Sequence, residues 1–293
     1  MLTEKLMFPV DDLNGKLSEF STHESYHYQD KKEAKQDLKE GIKKLSSLQD
    51  KLFAYDKYAV LIVLQAMDAA GKDSTIKHVM SGINPQGCRV VSFKVPSAEE
   101  LDHDFLWRCY KQLPSRGKIG IFNRSYYEEV LVARVHESIL KNQKLPALPE
   151  DPDATNFWRE RCEDINHFEQ HLDRNGTIIL KFFLHLSKEE QKTRFLARIE
   201  DPDKNWKLSV NDIKERSHWD HYQKAYEEML QNTSTEWAPW YVIPADKKWF
   251  CRIAVCEIII QTLDTLNLHY PELTPEQRKG IQKAKEMLMK EDN

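Results

Sequence analysis

The chain has 293 residues, 40% of them hydrophobic, with seven Trp, twelve Phe and a formal charge of −4. That is ample apolar material for one large α/β domain, and it excludes a strong global field that would draw in polyanions; a polyanion site has to come from local clusters of Lys and Arg. Nine Gly against 31% charged residues favour a helix-rich protein. The five Cys, 88, 109, 162, 251 and 256, form no C-x-x-C pair and read as reduced, mostly buried thiols. The opening MLTEKLMFPV is too short and too charged for a signal peptide, and no apolar run approaches the roughly 18 residues that span a membrane. The expectation is a soluble cytoplasmic protein with neither membrane nor nucleic acid as partner.

Residues 1–30 are polar without clear period and read as an extended N-terminal arm. From Lys31 to Asp56, Leu38, Ile42, Leu45, Leu48 and Leu52 recur at helical spacing, which predicts an amphipathic helix. Strand-like runs then follow at 59–65, 89–95, 118–123, 177–184 and 240–243. Helix-like runs fall at 73–82, 98–112, 125–136, 154–175, 187–200, 209–232, 247–267 and 274–291. This alternation predicts an α/β fold with a parallel sheet flanked by helices on both faces, and ligands beyond the carboxyl ends of the strands. The segment 137–153, with Pro146, Pro149 and Pro152, reads as a long surface loop. No internal repeat or linker divides the chain, so 1–293 reads as a single domain.

The stretch Ala59–Lys77, AVLIVLQAMDAAGKDSTIK, directs the functional reading. An apolar strand turns through Ala69, Ala70 and Gly71 and enters a helix opened by Lys72, Asp73 and Ser74. Strand, small-residue turn, Gly-Lys and helix form a phosphate-binding loop, in which backbone N–H groups and a helix N-terminus face an anion. The usual pattern is G-x-x-x-x-G-K-[ST]. Here Ala66 stands at the first glycine and Asp73 at the Ser/Thr that normally holds Mg²⁺, so Asp68 or Asp73 is left to hold the metal. The competing reading is an ordinary strand-to-helix turn with a chance Gly-Lys.

Phosphoryl transfer needs positioning and positive charge around the transferring group. In I119-G-I-F-N-R-S-Y-Y-E-E129, Asn123 and Arg124 fall at the end of an apolar strand, and Glu128 lies one helical turn beyond Arg124. In the run from Arg194 to Ser209, Arg194, Arg198, Lys204 and Lys207 surround a helix break, with Trp206 among them and Ser209 placed to cap the next helix. This reads as a mobile lid over 194–215, or as a solvated basic turn. Lys77, His78, Arg89, Lys94 and Arg134 are candidates for a groove that tracks a long anion, against scattered surface charge. His167 and His171 are spaced i, i+4 but lack an H-E-x-x-H pattern, so surface or core histidines are the better reading.

Together D68-A-A-G-K-D73, F122-N-R-S-Y-Y-E128 and R198-I-E-D-P-D-K-N-W-K-L-S209 resemble the family-2 polyphosphate kinases. The resemblance runs from about Lys31 to the final helices and includes N84-P-Q-G, F93-K-V-P-S, H167-F-E and W240-Y-V-I-P-A-D. It implies a P-loop kinase fold with a helical lid. It also implies transfer of a terminal phosphoryl group between inorganic polyphosphate and nucleotides, with Mg²⁺, or Mn²⁺ in its place. Mapped onto the family's motifs, Asp68 matches the metal-holding carboxylate, Lys72 the phosphate-binding lysine and Arg124 the second-motif arginine. Arg198, Lys204 and Lys207 match the lid cations. Asn123 departs from the Asp found in many members, which puts direct metal contact there in doubt. Glu128 resembles the class that accepts both nucleoside mono- and diphosphates. The resemblance further implies adenine or guanine nucleotides as acceptors and a homo-oligomer. The competitors are an ATP-dependent nucleoside monophosphate kinase and a non-catalytic nucleotide-binding module.

Overall fold

A computed structural model describes residues 2–10 and 12–291. Its five strands are β1 (Ala59–Gln65), β2 (Cys88–Ser92), β3 (Ile119–Asn123), β4 (Thr177–His185) and β5 (Trp240–Pro244). The helices before β3 are α1 (Leu2–Leu6), α2 (Lys31–Tyr55), α3 (Lys72–Val79), α4 (Ala98–Leu101) and α5 (Trp107–Tyr110). Those between β3 and β5 are α6 (Val132–Val135), α7 (Glu137–Lys141), α8 (Phe157–Arg174), α9 (Lys188–Glu200), α10 (Val210–Ser217) and α11 (Trp219–Thr233). After β5 come α12 (Lys248–Thr265) and α13 (Pro275–Glu291).

The strands form one parallel sheet in the order β2-β3-β1-β4-β5. Every residue of β1 is buried, as expected of a central strand covered on both faces. Side chains alternate between two cores. Val60, Ile62 and Leu64 of β1 join Leu180, Phe182 and Leu184 of β4 beneath α2, α3 and α12. Leu61 and Val63 join Ile179, Phe183 and Trp240 beneath α8 and α11. Helix α12 is apolar nearly all round and buries ten residues because it lies between the sheet and α2. At about 1.5–3 kcal/mol for each large side chain fully buried, this helix alone anchors one layer. Asp30 caps α2 by accepting from the N–H groups of Lys32 and Glu33, and Ser209 forms a capping box with Asp212 at the start of α10.

Three expectations need correction. The N-terminal arm is not extended over its whole length: α1 buries Leu2 and Leu6, and the Phe8 N–H donates to the Trp240 carbonyl at 2.8 Å. Positions 1 and 11 of that arm lie outside the described residues. The helical runs 98–112 and 125–136 are broken. Asp104 turns the first between α4 and α5, and the second begins as a 3-10 turn at Tyr126–Val130. The long helix expected over 209–232 breaks at His218, so α10 stands apart from α11. No helix among the described residues is long and apolar enough to cross a membrane.

Candidate active site

The register Leu64↔Asn123 and Gln65↔Phe183 brings the carboxyl ends of β1, β3 and β4 together, and the candidate side chains Asp68, Lys72, Asn123, Arg124 and Glu128 gather there. The loop after β1 reverses through Ala69 at φ 64° and Gly71 at φ 108°. The second value is one that only glycine adopts without strain. Helix α3 starts at Lys72, so the N–H groups of its first turn lack intrahelical partners, the arrangement that suits a helix N-terminus to an anion. Lys72 Nζ arches back to donate to the Ala66 carbonyl at 2.7 Å. Burial, reinforced by the neighbouring Arg124 charge, lowers its pKa to about 8, although Asp68, Glu128 and Asp73 pull the other way.

Arg124 connects two carboxylates. It donates from Nη2 to Asp68 Oδ1 at 3.2 Å and from Nη1 to Glu128 Oε2 at 3.3 Å. Its backbone sits in the left-handed region at φ 64°, and its N–H donates to the Leu64 carbonyl, which stitches the end of β3 to β1. Gln65, turned so that both amide atoms are satisfied, donates to Glu128 Oε1 at 2.9 Å and accepts from Ser125. Glu128 therefore has both oxygens fixed. Asn123 Nδ2 donates to Asp73 Oδ1 at 2.6 Å. Asp68, Lys72, Asn123, Arg124, Glu128 and Asp73 thus meet at one point.

Helix α9 holds the loop from behind. Gln191 donates to the Asp68 carbonyl at 2.9 Å, and Arg194 donates to the carbonyls of Ala69, Ala70, Ala245 and Asp246 at 2.6–3.0 Å. With Glu190 on its Nε, Arg194 is fully engaged and buried. It is a staple of the loop and not the lid cation that its spacing suggested. Arg198, one turn further along α9, is half-buried. Lys204 pairs with Asp201, and Lys207 lies 5.0 Å from the ring centroid of Trp206, which is 75% exposed. No hydrogen bond or ion pair among the described residues joins Lys204 or Lys207 to the loop. Helix α10 is latched to the body: Glu215 Oε2 accepts from Tyr222 Oη and pairs with His136 Nε2, each at 2.8 Å.

Two groups escaped the sequence reading. One is a buried ion pair beneath the second motif. The hydroxyls of Tyr126 and Tyr127 both donate to Glu169 Oε1 at 2.8 Å. Glu169 Oε2 pairs with Lys181 Nζ at 2.6 Å, and both side chains are fully buried. The ammonium also donates to Tyr127 Oη and the Thr233 carbonyl. A satisfied network of this kind fixes the 126–130 turn, and so the placement of Glu128. The glutamate of H167-F-E was its available signal. The other group is at the start of α12. Arg252 donates to Ser74 Oγ at 2.8 Å. Lys248, one turn earlier, has its pKa lowered by burial and then by Arg194, Arg252 and Arg198, with Glu190 opposing. These cations crowd the side of the loop nearest β4 and β5.

The five groove candidates come from α3, from β2 and the chain just past it, and from α6. Lys77 is exposed on α3, and His78 bonds the Ser74 carbonyl through Nδ1 at 2.7 Å. Lys94 is exposed just past β2. Arg89 pairs with Gly120, three residues and roughly 10 Å short of the carboxyl end of β2, where it bonds Gln112. Arg134 is neutralised by Asp153 at 3.0 Å and Glu228 at 2.5 Å. His167 and His171 are exposed, and no cluster of three or more His, Cys, Asp or Glu side chains among the described residues is arranged to hold a metal by itself.

Comparison with known proteins bears on this geometry. Residues 28–271 match the family described as Polyphosphate kinase 2 (PPK2). A Rhodopseudomonas palustris protein named ADP-polyphosphate phosphotransferase is 51% identical over 94% of this chain and 94% of its own. A Meiothermus ruber protein named AMP/ADP-polyphosphate phosphotransferase is 46% identical over 78% of this chain and 81% of its own. The crystal structure of polyphosphate kinase 2 from Arthrobacter aurescens TC1 superposes with a TM-score of 0.85 at 38% identity, covering 96% of both chains. The phosphate loop, the Asn-Arg strand end and the five-stranded parallel sheet thus sit in a chain that belongs to the polyphosphate kinase 2 family.

Proposed function

We propose that the protein transfers the terminal phosphoryl group of inorganic polyphosphate to AMP and to ADP, reversibly, giving ADP and ATP. The observation that carries this is the meeting of Lys72, Arg124, Asp68 and Glu128 at the N-terminus of α3. A polyphosphate donor is supported by the names of both relatives, and by the crowded cations Arg198, Lys248 and Arg252 along one side of the loop. AMP as an acceptor is supported by Glu128 and by the name of the Meiothermus relative; the name of the Rhodopseudomonas relative gives ADP alone. Adenine nucleotides are the first acceptors to assay and guanine nucleotides the next.

The donor set fits Mg²⁺, or Mn²⁺ in its place. Asp68, Asp73 and Glu128 offer hard carboxylate oxygens, and a metal bound mainly through phosphates needs only one or two of them. Asp68 would hold the ion, with Asp73 beside it and Asn123 orienting Asp73. When bound, the ion neutralises phosphate charge. The protein's own groups do the rest. The first-turn N–H groups of α3 and the Lys72 ammonium bind the transferring phosphate. Arg124 moves its donors from the carboxylates to phosphate oxygens as charge develops on them. Arg198, with Lys204 and Lys207 on the 201–208 turn, would close over the donor chain. The oxygen of the acceptor phosphate attacks phosphorus in line and the shortened polyphosphate leaves, without a phosphoenzyme. A homo-oligomer is supported by Leu273, Ile281, Met287 and Leu288, which are exposed on or just before α13; sedimentation velocity tests it.

The deciding experiment is incubation of the purified protein with AMP, long-chain polyphosphate and Mg²⁺, with ATP absent, followed by chromatography. ADP and then ATP are expected. Refusal of AMP with acceptance of ADP would overturn the reading of Glu128. No product from either acceptor would leave the ATP-dependent or binding-only alternatives.

A further inference from the structure

Three successive carbonyls of the phosphate loop, those of Asp68, Ala69 and Ala70, accept from two side chains one turn apart on α9. Gln191 takes the first and Arg194 the other two. The C=O and N–H of a trans peptide unit point opposite ways, so carbonyls turned onto α9 leave the N–H groups of Ala69 and Gly71 turned away from it. The donor side of the loop is therefore set by whatever holds its carbonyls.

The two α9 side chains are themselves held differently. Arg194 is spent on carbonyls of the loop and of the chain after β5, with Glu190 on its Nε. Gln191, only 1% exposed, bridges two elements. Its Nε2 donates to the Asp68 carbonyl at 2.9 Å, and its Oε1 accepts from Arg216 Nη1 at 2.8 Å. A carbonyl only accepts and a guanidinium only donates, so the amide has one possible orientation. The same Nη1 donates to the Lys188 carbonyl at 2.7 Å, and the Arg216 guanidinium lies 5.8 Å from the Trp219 ring centroid. An unbroken line of bonds thus runs from α10 through Arg216 and Gln191 to the backbone of Asp68.

Arg216 belongs to a helix with little else to fix it. Helix α10 buries none of its residues, and Val210 in its first turn is 76% exposed. Among the described residues, the hydrogen bonds that tie α10 to the body come from Glu215 and Arg216 in its last turn. Its first turn follows directly on the 201–208 turn that carries Lys204 and Lys207. Displacement of that turn is therefore carried along α10 to a pivot bonded to the support of the loop.

We propose that Gln191 and Arg216 are positioning residues that join the phosphate loop to α10, so that the placement of the 201–208 turn and the order of the loop change together. The inference rests on the function proposed above for what the loop binds. Neither side chain is bonded to Lys72, Arg124 or Glu128; both act through the Asp68 backbone.

The test is hydrogen exchange of the free protein, read by mass spectrometry in peptides covering 66–75 and 210–217, with kinetics alongside. Arg216→Ala should speed exchange in the loop peptide several-fold, although Arg216 makes no hydrogen bond to the loop, and Gln191→Met should do the same. The double variant should exchange no faster than Gln191→Met alone, because the line is already cut. Where Gln191→Met does not fold, Gln191→Glu takes its place: its carboxylate accepts from Arg216 and cannot donate to the Asp68 carbonyl. In transfer assays Arg216→Ala should lower kcat/KM for polyphosphate about tenfold, and Arg216→Lys, which keeps a donor for Gln191, should recover part of it. Unaltered loop exchange in Arg216→Ala, or additive effects in the double variant, would overturn the relay and leave the function standing. Coupled exchange in a protein that transfers nothing from polyphosphate would overturn the function and keep the relay.

Discussion

Asn123 donates to Asp73 across the mouth of the loop at 2.6 Å, which joins the end of β3 to the first turn of α3. The two departures from the usual motifs, an Asp where the loop carries Ser or Thr and an Asn where the strand end often carries Asp, are thus partners. An amide can donate to the carboxylate, and a second carboxylate could not. Asn123→Asp sets two like charges within hydrogen-bond distance and raises the apparent pKa of one of them. Turnover should fall about tenfold at low Mg²⁺, equivalent to ~1.4 kcal/mol, and recover in part as Mg²⁺ is raised. Initial rates over a Mg²⁺ titration check this; a Mg²⁺-independent loss would mean that the pair does not serve the metal.

Lys72 gives a pH signature. Its ammonium has a pKa lowered to about 8 by burial and by Arg124, so in the free protein it loses its proton on the alkaline side of neutrality. Binding phosphate requires the charged form. The value of kcat/KM should therefore decline above about pH 8, while kcat holds to higher pH because bound phosphate stabilises the ammonium. Lys72→Arg keeps its charge and should lose this limb of the profile, at reduced rate. Lys72→Ala and Asp68→Asn should each lower turnover by about two orders of magnitude or more with little change in thermal stability. A wild-type profile flat to pH 9.5 would separate Lys72 from the phosphate.

Arg194 and Arg198 lie one turn apart on α9 yet should fail in different ways. Arg194 satisfies carbonyls of Ala69, Ala70, Ala245 and Asp246, so Arg194→Ala leaves buried acceptors unpaired. The cost should be about 3–5 kcal/mol, seen as a loss of several degrees or more in Tm, with activity falling as the loop loosens. A lysine cannot span the same set, so Arg194→Lys should rescue little. Arg198→Ala should leave Tm nearly unchanged and raise KM for polyphosphate. Equal melting of the two variants would remove the distinction.

The contrast between those arginines marks the limit of what sequence could show. Sheet class, all five strands and the residues at their carboxyl ends were legible, because buried parallel strands are apolar runs and the loop is local in sequence. Spacing placed Arg194 and Arg198 on one face, but it could not say that one is buried on loop carbonyls while the other stays half-buried over Phe195, since that depends on how α9 docks. The breaks at Asp104 and His218 were missed because helical spacing of apolar residues continues through them. Lys181 lies within an apolar run, Ile178–Leu184, where it reads as an interruption; its partner Glu169 comes from another element.

His185, at the carboxyl end of β4, sets an acid limit on stability. It is 8% exposed, packs against Phe183 and leaves Nδ1 without a partner. Burial lowers its pKa to about 4, against the opposing pull of Asp246 and a hydrogen bond to the Phe20 backbone. The native state therefore holds the ring neutral, whereas the unfolded chain protonates it near its ordinary value of 6.5. Stability is complete above pH 6.5 and declines as pH falls towards 4, by about 3 kcal/mol in all from this group. His185→Phe keeps the ring against Phe183 and removes the titration. Between pH 7 and pH 4.5 the wild type should lose about 2–3 kcal/mol more than the variant in urea-unfolding free energy. Parallel pH dependences for the two proteins would assign the acid limit to the carboxylates instead.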